Sequence, residues 1–355
     1  MVLVARCSTV SVPASENSWL TEKCGSTFDE DFDVLDTIGR GRFAKVCRVR
    51  HRTGGGSFAA KIIRRWRNGK DTIDTIANEL RVLELGSRSP HITSVHQCYV
   101  RNQDVVMVLE QLVNVHLMYQ RFSAVGGDLY HLVQYSDVSP PVDFVRSIVR
   151  QVLKAVSFLH EHNVVHLDIK PDNVLLRRSY PDCDAVLCDF GLAKYLNERS
   201  PIRDLVGTPD YTAPEILDYN PIQLTTDIWS IGVLTYYLLT GTSPFWAPNK
   251  EETFSNVTQM RISFPDDLFH NVPMDAVNFI RRLIVKNPSN RPSAVDCFSD
   301  DWFIDISSNI CPSDASALID CNPEHSSLPE TGSQQSPSAK CELTRPELDR
   351  SFGEC

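Results

Sequence analysis

The chain has 355 residues, of which 42% are hydrophobic and 23% charged, and its formal net charge is −10. This composition is typical of a globular protein, and the negative charge argues against general nucleic-acid binding, which needs a basic surface. From residue 303 onward there are nine acidic residues against three basic ones, so the acidic excess lies mainly at the end of the chain. The longest strongly apolar stretch, residues 231–239, is too short to span a bilayer, which predicts no membrane segment.

Residues 1–31 are predicted to form a disordered tail, because the segment is rich in Ser, Thr and Glu and lacks the pattern of a secretory signal. The same lack of a signal predicts an intracellular protein of the cytoplasm, the nucleus or both. A strand-rich region follows, with a glycine turn, a strand at residues 58–63, a helix at 74–85 and a short apolar strand at 105–109.

Helical patterns begin at about residue 126. Residues 144–160 place apolar side chains on one helical face, and residues 227–240 are nearly all apolar, which predicts a buried helix. Residues 304–355 are predicted to be an acidic disordered tail. We therefore predict an α+β fold with two lobes. A small antiparallel-sheet lobe with one helix spans about residues 32–110, a larger helical lobe spans 126–303, and the functional residues lie at their junction.

A polar loop between two apolar runs carries most of the chemical information. Residues 166–173 read His-Leu-Asp-Ile-Lys-Pro-Asp-Asn, and Asp189-Phe190-Gly191 follows downstream. Asp168 can accept the proton of an attacking hydroxyl, and Lys170 can neutralise a γ-phosphate. Asn173 and Asp189 can hold Mg²⁺ against the phosphates of ATP. This spacing indicates phosphoryl transfer to serine or threonine.

Two further groups fit the same chemistry. The turn with Gly39 and Gly41 lets backbone N–H groups approach phosphates, although by itself it is a weak signal. Lys61 follows in an apolar strand and can reach the α- and β-phosphates if a carboxylate holds it. Glu79 on the next helix is the candidate partner, and Glu84 is the alternative.

Three residues are predicted to be architectural. The segments at 207–209 and 213–215 read Gly-Thr-Pro and Ala-Pro-Glu, the spacing of a lid and a peptide platform. We expect Arg291 to be the buried ion-pair partner of Glu215. We expect Asp227, at the start of the buried helix, to accept hydrogen bonds from the backbone of the loop at 166–173.

Together these residues resemble a eukaryotic protein kinase over residues 32–303, and within that superfamily the death-associated protein kinases, particularly their DRAK-type branch. The specific likeness lies in the following segments: the glycine turn at 39–44, the basic segment at 64–71, and the runs at 82–85, 180–181, 242–245 and 283–288. The resemblance implies a two-lobed kinase fold, ATP and Mg²⁺ as cofactors, phosphorylation of protein Ser or Thr, autophosphorylation and a role in apoptosis signalling.

The resemblance also implies a nucleotide site and a substrate preference. Beyond the residues already introduced, the nucleotide site is expected to include Ile38, Val46, Ala59, Glu110, Leu112 and Asp128. Asp128 and Asp172 lie where basophilic kinases hold a substrate arginine, although Asp128 can equally bind the ATP ribose. Because the acidic tail has no basic amphipathic helix, we expect no direct calmodulin binding.

The chain departs from the family pattern next to the predicted hinge. Leu109 resembles the gatekeeper residue, and the backbone of Glu110 and Leu112 is expected to bind adenine. Residues 112–125 are longer than the short connection in relatives. The segment is either a genuine loop over the larger lobe or an artefact of splicing or gene modelling. If it blocks ATP, the chain would instead be a pseudokinase-type binding scaffold.

The residue before Asp168 predicts how the protein is regulated. Kinases that need a phosphorylated activation loop use an arginine at this position to bind the phosphate, and here the residue is Leu167. Ser200 and Thr208 therefore lack the main cation that would make them a phosphorylation switch. We expect activity without phosphorylation of this segment.

Overall fold

The computed structural model describes residues 27–41, 44–110, 129–134, 140–177, 183–197 and 199–304. Its first part is rich in strands. The elements are α1 (Phe28–Asp31), β1 (Phe32–Arg40), β2 (Ala44–His51), β3 (Ser57–Arg64), β4 (Trp66–Arg67), β5 (Lys70–Asp71), α2 (Ile73–Gly86), β6 (Val95–Arg101) and β7 (Asp104–Glu110). The strands predicted at 58–63 and 105–109 are β3 and β7, and the helix predicted at 74–85 is α2. Each is one residue longer at both ends than predicted.

Five of these strands form an antiparallel sheet in the order β1-β2-β3-β7-β6. Successive residues of a strand face opposite sides of a sheet. In β7, Val106 and Val108 pack with residues of β2 and β3 on one face, whereas Val105 and Met107 join the core that includes α2. The sheet is therefore covered on both faces, and Lys61 lies in its central strand β3.

This lobe begins earlier than the sequence pattern indicates. Phe28–Asp31, which fall within the predicted N-terminal tail, form α1, and Phe28 is only 2% exposed. Its ring stacks on Phe32 with the centroids 5.6 Å apart and meets the ring of Tyr99 edge-on at 5.7 Å. A single aromatic residue in a polar segment has no periodicity, so only its tertiary contacts could show that it belongs to the core.

The second part of the chain is mainly helical. Its described elements are α3 (Leu129–Gln134), α4 (Val142–Glu161), β8 (Val164–Val165), β9 (Val174–Leu176), β10 (Ala185–Leu187), β11 (Lys194–Tyr195), α5 (Pro214–Leu217), α6 (Thr225–Thr240), α7 (Lys250–Thr258), α8 (Asp266–Phe269) and α9 (Met274–Leu283). The predicted helices at 144–160 and 227–240 are α4 and α6. None of the helices within the described ranges combines the length and the apolar character that crossing a membrane requires.

Helix α6 is the centre of the helical lobe. It is buried from Thr226 to Leu239, as its apolar sequence predicts. A Cβ atom at Gly232 would lie 2.8 Å from Cγ1 of Ile284 and 2.9 Å from Cβ of Leu283, so the glycine is what allows the end of α9 to approach so closely. The helix therefore has little freedom to shift, and the residues at its N-terminal end are held in fixed positions.

Short strands place the polar loop against this core. Strand β8 pairs with β11, and β9 pairs with β10, in two separate antiparallel ribbons. Residues 166–173 connect β8 to β9, and the segment with Asp189 follows β10. The loop at 166–173 and the segment with Asp189, which carry the predicted chemistry, therefore lie beside one another at the ends of these ribbons.

Candidate active site

The loop at 166–173 is anchored by one buried carboxylate. Asp227 is completely buried, and it accepts hydrogen bonds from the backbone N–H of His166 at 2.9 Å and of Leu167 at 3.0 Å. His160 lies 3.0 Å from the same carboxylate through Nε2. Leu167 has a φ of 68°, in the left-handed region that a non-glycine residue rarely adopts without outside support. The predicted architectural role of Asp227 is confirmed.

Asp168 lies at the centre of a set of polar side chains. Asn173 donates from Nδ2 to the backbone oxygen and to Oδ2 of Asp168, both at 2.8 Å. Lys170 Nζ lies 3.0 Å from Oδ2, and the Thr208 hydroxyl donates to Oδ1 at 2.8 Å. The carboxylate is 11% exposed, so its orientation is fixed while one side stays accessible.

Thr208 is a site residue whose role the sequence did not indicate. Its hydroxyl accepts a hydrogen bond from Lys170 Nζ at 2.7 Å and donates to Asp168. Gly207 has a φ of 105°, and a Cβ there would lie 3.1 Å from the backbone oxygen of Leu167. The Gly-Thr dipeptide in the sequence could have indicated a site residue. Only folding, however, brings it into contact with a loop about forty residues earlier in the chain.

Lys61 joins the two lobes through a pair of carboxylates. Its Nζ lies 2.6 Å from Glu79 Oε1 and 2.6 Å from Asp189 Oδ1. Burial alone would lower the pKa of Lys61, but the two carboxylates outweigh burial and raise it. Burial likewise would raise the pKa of Asp189, and the Lys61 ammonium brings it below its ordinary value. Glu84, the alternative partner, is exposed on the same helix.

The segment around Asp189 is held by packing as well as by charge. Asp189 has a φ of 58°. Phe190 is completely buried, and its ring lies 5.0 Å from that of His166. A Cβ at Gly191 would lie 3.3 Å from Asp189 Oδ1, so a side chain at this position would crowd the carboxylate. The loop at 166–173 and the Asp189 segment therefore support each other.

Asn173 and Asp189 have the ligand chemistry of a magnesium site. Asn173 uses its amide nitrogen for Asp168, which turns the amide oxygen the other way. The Asp189 side chain is 48% exposed. Amide and carboxylate oxygens are the ligands that Mg²⁺ binds, usually with several waters and phosphate oxygens completing the shell. The donor set therefore fits the ion.

An open cleft lies between the glycine turn and this segment. Its lining includes Gly41, Lys61, Glu79, Asp168 and Asp189. The sheet brings further predicted nucleotide-site residues close to it, since Val46 pairs with Lys61 and with Gly39, and Ala59 pairs with Leu109. Ile38 lies in β1 next to this turn.

Glu110 ends strand β7 and is held by one residue of its own lobe and one of the other lobe. Its carboxylate accepts hydrogen bonds from Arg177 Nη2 at 2.9 Å and from the backbone N–H of Ser94 at 3.2 Å. Arg177 also donates to the backbone oxygen of Pro90. Leu112, Asp128 and the segment at 112–125 lie outside the described residues, so their predicted roles stay predictions.

Leu167 lies in an apolar cluster instead of offering a positive charge. It is 4% exposed and belongs to a cluster with the following side chains: Val165, Leu192, Leu196, Ile202, Val206, Ile216, Ile222 and Leu224. Several of these belong to the segment between Asp189 and Glu215. The backbone N–H of Ile222 donates to the oxygen of Ile202 at 2.9 Å. This segment is therefore fixed on the helical lobe by apolar contacts and backbone hydrogen bonds.

The peptide platform is tied to the helical core by the predicted ion pair. Arg291 donates from Nη1 and Nη2 to the two carboxylate oxygens of Glu215, each at 2.7 Å, and both residues are buried. Its guanidinium lies 5.2 Å from the ring centroid of Trp229. The pairing is bidentate, which fixes orientation as well as distance.

The fold is that of a protein kinase. The protein kinase domain model matches residues 32–303. A solved structure of the twitchin kinase region from C. elegans is similar, with a TM-score of 0.69 and 29% identity, and the match covers 79% of this chain and 47% of that one. The predicted two-lobed kinase fold is confirmed.

Comparison with curated relatives shows to which family of protein kinases the chain belongs. The chain is 41% identical over 266 residues to serine/threonine-protein kinase 17A of Oryctolagus cuniculus, covering 75% of this chain and 64% of the relative. It is 34% identical over 283 residues to death-associated protein kinase 2 of Mus musculus, covering 78% and 73%. The chain therefore belongs to the death-associated protein kinase family, as predicted. It matches 39% of the length of a Drosophila melanogaster protein, death-associated protein kinase related, at 38% identity.

The anchoring of the loop by Asp227 leads to a stability prediction. Asp227→Ala leaves the buried N–H groups of His166 and Leu167 without an acceptor, and each such group costs about 1–3 kcal/mol. We expect the free energy of unfolding, measured by urea denaturation, to fall by about 2–4 kcal/mol. Asp218→Ala, an exposed change in the same lobe, is the control. A loss no larger than that of the control would contradict the anchoring role.

Proposed function

We propose that this chain is an ATP-dependent serine/threonine protein kinase that transfers the γ-phosphate to Ser or Thr hydroxyls of protein substrates. The observation that carries the proposal is the set of contacts around Asp168, whose carboxylate meets Lys170, Asn173 and Thr208. The names of the relatives, serine/threonine-protein kinase and death-associated protein kinase, support this activity and a role in apoptosis-related intracellular signalling. We place the protein in the cytoplasm, the nucleus or both.

Asp168 would orient the substrate hydroxyl and accept its proton while the oxygen bonds to the γ-phosphorus and the bond to ADP breaks. Lys170, 3.0 Å from this carboxylate, is placed to offset negative charge on the transferred group. Thr208 bonds to both residues and keeps their separation constant. Because all three are fixed before substrate binds, catalysis is mainly positioning and electrostatic stabilisation.

The other lobe would hold the nucleotide. Lys61, kept in place by Glu79, would contact the α- and β-phosphates, and Asn173 with Asp189 would hold Mg²⁺. When bound, the ion neutralises charge on the phosphates. The adenosine part would be covered by the remaining predicted residues: Ile38, Gly39, Gly41, Val46, Ala59, Glu110, Leu112 and Asp128.

The sharpest test of the activity removes one catalytic or phosphate-binding group at a time. We expect Asp168→Asn to lower phosphotransfer by about 10²–10⁴-fold, because the variant cannot accept the proton. Lys61→Ala should do the same, because it removes the cation that would hold the α- and β-phosphates. Activity is measured with radiolabelled ATP, and thermal unfolding checks that each variant is folded.

A surface change provides the matched control for these two variants. Lys154→Ala, an exposed change on α4, removes a lysine that is not among the residues lining the cleft and should retain full activity. Retained phosphorylation by folded Asp168→Asn or folded Lys61→Ala would refute the assignment.

We also propose that the kinase prefers arginine upstream of the phosphorylated residue. Asp172 is exposed in the loop beside the catalytic residues. Asp210 follows Thr208 closely, and one of its carboxylate oxygens is buried without a hydrogen-bond partner in the described part of the chain. Burial raises the pKa of the Tyr211 phenol, and both carboxylates raise it further, so the two acids act on one region. Their negative potential favours a cationic substrate side chain.

A peptide array with arginine moved through each upstream position would measure this preference. We expect wild-type protein to select arginine, and Asp172→Asn or Asp210→Asn to reduce the selectivity by about fivefold to tenfold, the worth of a charge-assisted contact. Asp275→Asn, in the first turn of α9, is the control. Equal rates for peptides with and without arginine would contradict the proposed selectivity.

The apolar cluster around Leu167 supports activity without phosphorylation of the segment between Asp189 and Glu215. A phosphate on Ser200 would find no arginine at position 167, since that side chain is a buried leucine. Thr208 has another task, because its hydroxyl is bonded to Asp168 and Lys170. The segment is instead positioned by the apolar contacts of Leu167 and by the hydrogen bond from Ile222 to Ile202.

Two variants distinguish positioning of this segment by a phosphate from positioning by apolar contacts. Phosphatase-treated Ser200→Ala should keep its activity within about twofold of wild type, because no phosphate contributes to the fold of the segment. Leu167→Ala should lower activity, since it opens a cavity worth about 2–5 kcal/mol under the segment. Both are assayed for phosphotransfer with a protein substrate. Loss of turnover in Ser200→Ala would show that the leucine does not replace a phosphate-binding arginine.

A further inference from the structure

Helix α2 contains an asparagine directly before Glu79, at a position where helix propensity does not favour it. Asparagine is among the weaker helix formers because its side chain competes for backbone hydrogen bonds. Asn78 is partly buried, and its Nδ2 donates to the backbone oxygen of Ala193 at 2.7 Å. Ala193 lies in the other lobe, 115 residues further along the chain. The side chain therefore connects α2 to the segment that follows Asp189.

The chemistry of this contact requires a hydrogen-bond donor on α2. A backbone oxygen can only accept, so the residue on α2 must donate, and a carboxylate of the same size could not. Ala193 is 1% exposed, and its own N–H donates to the oxygen of Phe190 at 3.1 Å. This hydrogen bond closes a turn from Phe190 to Ala193, so the Ala193 oxygen lies at the end of a short segment that begins with Asp189. Asn78 holds that end of the turn.

Adjacent residues of α2 hold both ends of the same turn. Glu79 binds Lys61, which binds the carboxylate of Asp189 at the start of the turn. Asn78 binds Ala193 at its end. Asp189 has a φ of 58°, a conformation that a non-glycine residue keeps only when its surroundings support it. The ion pair at Asp189 and the hydrogen bond at Ala193 therefore constrain this segment from both ends.

We propose that Asn78 is a positioning residue that fixes the Asp189–Ala193 turn to helix α2 and thereby sets the Mg²⁺-binding carboxylate for phosphoryl transfer. The inference rests on the proposed kinase activity, and it concerns a residue that touches neither nucleotide nor substrate. It acts on Asp189 through the backbone of Ala193. Its loss is expected to affect the rate of the chemical step more than the binding of ATP.

The test compares Asn78→Ala and Asn78→Asp with wild type. The first removes the hydrogen bond, and the second keeps the size but places a negative charge against the Ala193 oxygen and beside Glu79. We expect kcat to fall about tenfold for Asn78→Ala and further for Asn78→Asp, with the KM for ATP changing less than about threefold. Glu84→Gln, an exposed change on the same helix, should match wild type. Thermal unfolding confirms that each variant is folded.

A second measurement does not depend on activity. Hydrogen exchange of the amides at residues 190–196, followed by mass spectrometry without nucleotide, should be faster in both Asn78 variants than in wild type and Glu84→Gln. If wild type itself transfers no phosphate, the proposed function fails, and the exchange rates still decide whether Asn78 holds the turn. Unchanged exchange, or a kcat for Asn78→Ala within about twofold of wild type, would overturn the proposal.

Discussion

The site depends on one buried carboxylate that satisfies two backbone N–H groups of a loop with no regular hydrogen-bonding pattern. Asp227 accepts from His166 and Leu167, and this allows Leu167 to keep a left-handed backbone conformation. That conformation turns the chain so that Asp168 faces the cleft while Leu167 faces the core. Since Asp227 belongs to the most buried helix of the described residues, the catalytic loop takes its position from the core of the helical lobe.

The two lobes share an apolar core, and at the site they are also joined by charge. Lys61 lies between a carboxylate of its own lobe, Glu79, and one of the other lobe, Asp189. Each charge is partly desolvated, so each depends on its partners, and the shifted pKa values of Lys61 and Asp189 reflect this mutual dependence. Lys61 and Asp189, which would bind phosphate and metal in the proposed mechanism, and Glu79, which holds Lys61, therefore also define the relative position of strand, helix and loop.

Much of the chemistry could be predicted because it is local in sequence. Asp168, Lys170 and Asn173 lie within six positions, and a polar loop between two buried strands is costly unless it has a function. The partnership of Lys61 with Glu79 was also predictable, since the two residues are only 18 positions apart, on a strand and on the next helix of the chain. The long helices were predictable from apolar periodicity, with errors only at their ends.

The sequence by itself thus determined the class of fold and predicted the candidate site residues, because periodicity and close spacing record local geometry, and the likeness of its motifs indicated the family. Only the tertiary structure decided which distant groups meet. Thr208 joins Asp168, Asn78 joins Ala193, and Phe28 joins the core of a sheet whose sequence pattern begins at Phe32. These contacts link segments that are remote in sequence or that have no repeating pattern. The sequence does not show which partner a single hydroxyl, amide or aromatic ring will contact, because tertiary packing decides this.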